Sequence, residues 1–398
     1  MPDIPKTMRA IVYRGVNDLR LETVPVPRIG PHELLVQVAV CGVCPTDIKK
    51  IQYGTVPPPR IFGHETAGVI SKLGSGVSEL GWKIGDRVAL HHHVPCLDCH
   101  FCRHHAFAQC ETYKRTGITA GFEPAGGGYA EYVRVMPFVL PGVVKIPAIN
   151  SFEEGAMLEP VNTVLKAIRR LNLLPGDNVL VAGQGPVGLM FTRLLQLAGA
   201  RVIATDLMAS RLKLAKKFGA KWTFNVGQAS SLSSSSLTHS SKSGTDRRPV
   251  LQFGLDAAVI AVPSDAAVQQ ALQLVRGGGQ LMLFAHTKRI AKSEGQSPKV
   301  KVQTRSHSHF SLQPSAFSLD LASVCVDEKD LLGSYSSDFT LQREVARLVF
   351  SRRLDVRQLI SHRFSLEATS EAIRLAANPK PDSLKIIVTQ SPPGSAGP

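Results

Sequence analysis

Gly183-Gln184-Gly185-Pro186-Val187-Gly188 stands between a strand-like run, Asn178 to Ala182, and a helix-like run, Val187 to Leu197, with strand-like Arg201 to Thr205 beyond. Strand, glycine turn, helix and strand in that order make a parallel βαβ unit, whose sheet must be covered on both faces. The glycines permit a tight turn and let a pyrophosphate approach the helix N-terminus. An unliganded α/β domain tolerates the same turn, so Gly183, Gly185, Pro186, Val187 and Gly188 need a second signal. Asp206 supplies it: this carboxylate ends the next strand, 18 residues after Gly188, where it can accept hydrogen bonds from an adenosine ribose and repel a 2′-phosphate. NAD is therefore expected rather than NADP. Strand- and helix-like segments continue at Arg211 to Phe218, Asp256 to Val262 and Gln280 to Ala285, which predicts a doubly wound Rossmann domain.

Ahead of Glu153 the pattern is different. Ala10-Ile11-Val12-Tyr13, Leu34 to Val38, Gly68 to Leu73, Asp86 to Leu90 and Ala130 to Val135 are short β segments with turn residues close by. They predict a partly open barrel with long loops. Helical spacing of apolar residues begins at Glu154 and runs to Leu171. With 398 residues, two domains are expected, giving an α/β fold with a β-rich second domain. The most apolar region, Val179 to Ala204, is interrupted by Gln184, Arg193, Gln196 and Arg201, which argues against a membrane span. Met1 to Ala10 lacks the apolar core of a secretory signal, so a cytoplasmic address is expected. Two segments break the globular pattern, serine-dominated Gln228 to Gly244 and Lys/Ser/Gln-rich Thr287 to Phe310. Both are expected to be disordered insertions, and Ser391 to Pro398 a frayed tail.

Cys96, Cys99, Cys102 and Cys110 have the spacing C-x2-C-x2-C-x7-C, and four thiolates so close in sequence can surround one Zn2+ as a structural site. Reduced cysteines sharing a loop by chance are the bland alternative. A zinc-ribbon gripping nucleic acid is a further one, and the net charge of +15 is compatible with it. Part of that charge, however, comes from Lys288, Arg289, Lys292, Lys299, Lys301 and Arg305 in one low-complexity stretch, and no aromatic and basic stripe accompanies the cysteines. Cys44 with the distant pair His64-Glu65 offers the thiolate, imidazole and carboxylate of a catalytic zinc. His91-His92-His93 and His104-His105 form a local histidine cluster that could bind a metal adventitiously, and no metal role is the preferred reading.

Together these residues resemble the zinc-containing medium-chain alcohol dehydrogenases over nearly the whole chain apart from the two insertions. The resemblance is carried by Cys41-Gly42-Val43-Cys44-Pro45-Thr46-Asp47, Gly63-His64-Glu65, the four-cysteine loop, Gly127-Gly128-Tyr129-Ala130-Glu131-Tyr132 and Gly183 to Gly188. Leu158-Glu159-Pro160 is similar to the sorbitol, butanediol and threonine dehydrogenase branch, which has an acidic residue where liver-type enzymes have a zinc-binding cysteine.

The resemblance implies a catalytic zinc held by Cys44 and His64, with Glu65 and Glu159 as direct or exchanging carboxylate ligands, and a second, structural zinc in the four-cysteine loop. Cys41 takes no ligand position in it and is read as a small buried residue, and Cys325, which has no partner in sequence, is read as structural. It further implies that Thr46 passes the alcohol proton outward and that Asp47 orients the His64 ring; helix capping is the alternative role for either residue, and the two do not exclude each other. The chain departs from the pattern at Lys49, where many relatives have a histidine that completes the proton exit. Lys49 is read as neutralising a cofactor phosphate or as solvated, so its part in proton relay stays open. Arg211 resembles the residue that lies against the adenine side, with solvated helix charge as its alternative.

The expected architecture is a GroES-like catalytic domain from residues 1–158, completed by 336–398, around a Rossmann NAD-binding domain, 159–335. The expected reaction moves a hydride between NAD and a secondary alcohol, with zinc as Lewis acid. A polyol or sugar alcohol suits the carboxylate-rich floor, and threonine is the alternative substrate. Tyr53 and Phe122 are candidates to line the pocket. No nucleic-acid or membrane partner is expected, and the resemblance implies a homodimer or homotetramer. A catalytically silent binding protein is the remaining rival; it has no use for intact Cys44, Thr46, His64, Glu65 and Glu159.

Overall fold

The computed structural model describes residues 4–91, 94–112, 126–226, 253–285 and 319–390. Its first part consists of strands β1 (Thr7–Gly15), β2 (Asp18–Pro25), β3 (Leu34–Gly42), β4 (Arg60–Ile61), β5 (Glu65–Leu73), β6 (Arg87–Ala89), β7 (Tyr132–Val135) and β8 (Val144–Lys145). Helices α1 (Pro45–Tyr53) and α2 (His100–Arg103) lie between them. Helix α1 adds an element where the sequence pattern had marked only short β segments and long loops. Its three-residue spacing of buried Ile48 and Ile51 is too short a pattern to stand out from a β run. Locally its bounds are well marked: Pro45 occupies the first turn, where its missing N–H costs nothing, and Gly54 ends the helix at φ 63°.

The segment 151–168 forms two helices, α3 (Phe152–Ala156) and α4 (Leu158–Ile168), where the apolar spacing suggested one. Ser151 and Glu154 close a capping box on α3. The restart at Met157 puts Glu159 in the first turn of α4.

The second sheet contains β9 (Asn178–Ala182), β10 (Arg201–Asp206), β11 (Trp222–Asn225), β12 (Leu255–Ile260), β13 (Val275–Leu283) and β14 (Asp330–Gly333). Its order is β11-β10-β9-β12-β13-β14, and the pairings are parallel. This is the doubly wound arrangement, whose strand order reverses between β9 and β12 and leaves a crevice at the strands' C-terminal ends. Helices α5 (Pro186–Leu197), α6 (Ala209–Lys217), α7 (Asp265–Leu274) and α8 (Leu321–Cys325) accompany it. Strand residues Val179, Val181, Val202, Ala204, Ala257 and Val259 are fully buried, as a sheet covered on both faces requires.

After α9 (Gln342–Phe350) the chain returns to the first sheet. Strand β15 (Ile360–Ser365), helix α10 (Thr369–Ala377) and strand β16 (Lys385–Thr389) follow. Strand β16 pairs antiparallel with the end of β3, Ile387 opposite Gly42, and β7 pairs with the beginning of β3. The sheet β15-β16-β3-β5-β6-β8 stays open, and a separate sheet β2-β1-β4 packs beside it. One apolar cluster runs from Val40, Ala67 and Ile146 through Leu158, Val161 and Val164 of α4 to Val179, Leu189 and Val202, so α4 joins the two sheets. Each such Leu or Val contributes about 1.5–3 kcal/mol by leaving water; Val164→Asp would place an unpaired charge at this junction. Among the described residues no helix is long and apolar enough to cross a membrane. The expected insertions, the tail, His92, His93 and Phe122 lie outside the described residues.

Candidate active site and metal centres

Strands β3 and β5 assemble the first centre. Their antiparallel register sets Gly42 opposite Glu65, so Cys44, just past β3, meets His64, just ahead of β5. A Cβ on Gly42 would lie 1.9 Å from Glu65 Oε2, which explains glycine at that position. Cys44 is the extended residue preceding α1, and it places Thr46, Asp47 and Lys49 on the first turns of that helix. Ligand atoms of Cys44, His64 and Glu65 lie within 4.8 Å of one another. His64 Nδ1 is 3.1 Å from Asp47 Oδ1, and Cys44 Sγ is 3.1 Å from Thr46 Oγ1.

Two further charged groups are buried here. Glu159 is 3% exposed but does not belong to the set within 4.8 Å; burial pushes its carboxyl up to about 7, with Glu65 and Asp47 adding to the rise while His64 and Lys385 oppose it. Lys385, at the start of β16, donates to Glu65 Oε1 at 2.6 Å and to the carbonyl of Val43 at 3.0 Å, and it also contacts Glu65 Oε2. Burial lowers the pKa of Lys385, but the Glu65 and Cys44 charges outweigh it and the net shift is upward. Asp47 is held below the usual carboxylate range: burial raises it, and the His64 ring, Lys50 and Lys385 prevail. Burial lowers the Lys49 ammonium, partly offset by the Cys44 charge.

A thiolate, an imidazole and a carboxylate that converge this closely fit Zn2+, which binds S, N and O ligands and keeps an open position in catalytic sites. The four-cysteine loop fits a second Zn2+. All four sulfurs lie within 4.8 Å of one another, with Cys96 Sγ 3.9 Å and Cys99 Sγ 3.5 Å from Cys102 Sγ. A tetrahedron with ~2.3 Å Zn–S bonds has S–S edges of about 3.8 Å, whereas a disulfide would need ~2.05 Å. Among the described residues no disulfide joins any of the cysteines. Backbone N–H groups of Asp98 and Cys99 lower the Cys96 thiol to about 6, and burial pushes Cys102 up to about 12.

The glycine turn sits at the C-terminal end of β9. Gly183 has φ 91°, and a Cβ on Gly188 would fall 1.8 Å from the Gly183 carbonyl oxygen. Gly185 precedes α5 with open space where a Cβ would be, so the helix N-terminus offers a cradle for a pyrophosphate. Asp206 ends β10 and accepts from the backbone N–H of Gln184 at 2.7 Å and of Met208 at 2.9 Å. Arg211 Nη1 is 3.9 Å from Asp206 Oδ2, and its Nη2 donates to the Ser383 carbonyl at 3.4 Å. These features fit a dinucleotide.

Known proteins resemble this chain in sequence and in fold. Residues 30–148 match the family model "Alcohol dehydrogenase GroES-like domain" and residues 186–346 match "Zinc-binding dehydrogenase". A sorbitol dehydrogenase of Bacillus subtilis (strain 168) is 30% identical over 97% of this chain and 98% of its own length. The chain belongs to the zinc-binding alcohol dehydrogenase family. A D-xylulose reductase A of Aspergillus niger is 32% identical over 68% of this chain and 73% of its own. The crystal structure of 2R,3R-butanediol dehydrogenase from Bacillus subtilis has the same fold, with a TM-score of 0.77 at 22% identity, over 96% of this chain and 100% of that one.

As an alcohol dehydrogenase the chain has the GroES-like and Rossmann parts expected of it, and it is a zinc- and nicotinamide-dependent enzyme. The structure brings Cys44, Thr46, Asp47, His64 and Glu65 together and sets Glu159 beside them. Tyr53 is 43% exposed. Cys41 is fully buried against Thr66, with burial pushing its thiol up to about 12, in keeping with its reading as a small core residue. Cys325 is exposed, which corrects its reading as a structural residue. The described histidines of the local cluster join neither metal group: His91 is buried, while His104 and His105 are exposed. Sequence reasoning missed Lys385 and Gln184. Gln184 is fully buried inside the glycine turn, donating to the Val181 carbonyl and accepting from Thr192 Oγ1. Its place between two glycines was the available signal; Lys385 offered none, being one lysine in a short C-terminal β segment.

Proposed function

We propose that this alcohol dehydrogenase oxidises a polyol or sugar alcohol reversibly at a secondary hydroxyl, with NAD as hydride acceptor. The observation that carries the reading is the acidic character of the centre: Glu65 converges with Cys44 and His64, and Glu159 is buried beside them. A carboxylate-rich floor matches a substrate with several hydroxyls better than a simple primary alcohol. The relatives named sorbitol dehydrogenase and D-xylulose reductase support the same class.

Zinc bound at Cys44, His64 and Glu65 supplies Lewis acidity that lowers the pKa of a substrate hydroxyl. Asp47 holds the His64 ring by Nδ1, leaving Nε2 as the ligand atom. Thr46 Oγ1, beside Cys44 Sγ, takes the alcohol proton and passes it outward. Gly183, Gly185, Pro186, Val187 and Gly188 receive the pyrophosphate. The Asp206 carboxylate, already fixed by two backbone N–H groups, binds the ribose hydroxyls and repels a 2′-phosphate, and Arg211 flanks the adenine side.

The test follows the absorbance of reduced nicotinamide when zinc-loaded protein and NAD meet sorbitol, xylitol, 2,3-butanediol, threonine and ethanol. Turnover led by the polyols is expected. Turnover led by threonine would reassign the substrate, and silence across the panel with both zinc sites filled would overturn the dehydrogenase reading.

The proposal extends to organisation. Residues 1–158 with 336–398 form the catalytic domain and 159–335 the cofactor domain, as the pairing of β16 with β3 supports. Cysteines that form no disulfide, four of them in a metal-ligating group, suit a cytoplasmic protein. Assembly as a homodimer or homotetramer is supported by the edge strand β14, next to half-exposed Tyr335; light scattering after size-exclusion chromatography measures it.

A further inference from the structure

Among the described residues, two lysines are almost fully buried. Lys329 is accounted for by the Leu272 carbonyl and by Asp327, neither of which belongs to a metal-ligating group. Lys385 ends its side chain inside the metal centre, 320 residues from Glu65 in sequence, with the ammonium on both Glu65 oxygens and on the Val43 carbonyl. Val43 directly precedes the ligand Cys44, so one ammonium grips the carboxylate ligand and the backbone beside the thiolate ligand. The surroundings are rich in carboxylates: Asp47, Glu65 and Glu159 are all at least 97% buried. Gly42 contributes the space, since any Cβ there would collide with the Glu65 carboxylate in the position in which Lys385 holds it.

We propose that Lys385 is a positioning residue of the catalytic metal centre: its ammonium fixes the Glu65 carboxylate and the Val43–Cys44 backbone so that thiolate, imidazole and carboxylate converge on one ion. A lysine suits this task, because separate N–H groups can serve Oε1 and the Val43 carbonyl while the charge also lies against Oε2, which has no hydrogen-bond partner of its own among the described residues and stays available to an ion. The last strand of the chain thereby completes a site otherwise built from residues 44–65. The proposal deepens the dehydrogenase reading but does not need turnover to be tested.

The experiment measures metal content and the visible absorption of Co(II)-substituted protein for Lys385→Met, Lys385→Arg, Glu65→Gln and the double variant Lys385→Met/Glu65→Gln. Expected for Lys385→Met is one zinc retained per chain after chelator challenge where the parent keeps two, with at least about tenfold faster loss from the second site, the scale of other groups that orient metal ligands. Lys385→Arg should restore two zinc ions and show displaced Co(II) bands, because a planar fork holds the carboxylate differently. In the Glu65→Gln background, Lys385→Met should add less loss than it causes in the parent, the remainder reflecting its hold on the Val43 carbonyl. Two tightly held zinc ions and unchanged Co(II) bands in Lys385→Met, or full additivity with Glu65→Gln, would overturn the proposal. If Lys385→Met does not fold, Lys385→Gln alone and combined with Glu65→Gln carry the decision: a smaller added loss of zinc in the Glu65→Gln background than in the parent supports the proposal, and an equal loss in both overturns it. Normal zinc behaviour without alcohol turnover in the parent protein would sink the polyol reading and leave the role of Lys385 standing.

Discussion

Asp47 Oδ1 lies 3.1 Å from His64 Nδ1, and both side chains are buried. One comes from the first turn of α1 and the other from the residue preceding β5, so the contact ties the helix to the strand across the metal centre. A ring held at Nδ1 presents a defined Nε2 to an ion. Asp47→Ala should reduce zinc affinity and kcat by about 10–100-fold. Asp47→Asn should lie between that variant and the parent. Equal zinc retention by chelator competition in parent and Asp47→Ala would refute this.

The four-cysteine loop should behave independently of turnover chemistry. Cys102 is 4% exposed and central to the sulfur cluster. Cys102→Ser is expected to reduce zinc from two ions per chain to one and to lower Tm by several degrees, because binding at a closed structural site is itself folding energy. Metal analysis paired with calorimetry reads both effects, and full zinc occupancy would show that the loop holds its ion without this thiolate.

Cofactor choice turns on the charge of Asp206. Asp206→Asn preserves an acceptor for the Gln184 or Met208 N–H while removing repulsion toward a 2′-phosphate. The ratio of kcat/KM for NADP over NAD should rise by at least about tenfold, or ~1.4 kcal/mol. An unchanged ratio would show that discrimination lies elsewhere.

Lys49 separates two roles. Its ammonium is partly buried on α1 and lowered by desolvation. Lys49→Ala is expected to raise the Kd for NAD more than it displaces the pH profile of kcat, as lost neutralisation of a cofactor phosphate requires. Titration calorimetry with NAD set against pH–rate curves distinguishes the roles; a displaced profile with intact NAD binding makes Lys49 the proton exit.

Acid stability has a named contributor. Glu33 is 6% exposed at its side chain, pairs bidentately with Arg134 and accepts from the Gly30 N–H. Burial raises its carboxyl, but Arg134 and Gly30 outweigh it and the net shift is downward. A lowered folded pKa means stability that is fully present above the ordinary carboxylate range and lost as pH falls through the folded value. Glu33→Gln should therefore flatten the acid limb of the stability curve below about pH 4. Arg134→Ala, which leaves a buried carboxylate unpaired, should cost roughly 3 kcal/mol in urea denaturation at neutral pH.

Much of the molecule was legible before any coordinates. The glycine turn between two apolar runs, the strand ending at Asp206 and the parallel order after Glu153 are local patterns, and local periodicity reports directly on backbone geometry. The four-cysteine group was legible for a similar reason, since C-x2-C-x2-C-x7-C is a short-range spacing, whereas Cys44 and the distant pair His64-Glu65 were linked through the family resemblance. Helix α1 was missed because nine residues with a Pro at the start and only a few buried positions give too brief a period to distinguish from a strand.

What the sequence determined by itself was the chemistry available, namely thiolates, an imidazole, carboxylates and a phosphate-accommodating turn, each encoded by neighbours along the chain. Only the tertiary structure decided which of these groups converge and what holds them. The register of β3 on β5 set Gly42 against Glu65, the break at Met157 turned Glu159 toward the centre without bringing it into the ligand set, and the return of β16 to β3 delivered Lys385 from 320 residues away. Pairings of that sequence separation depend on strand register and on the packing of whole sheets, which no local pattern records.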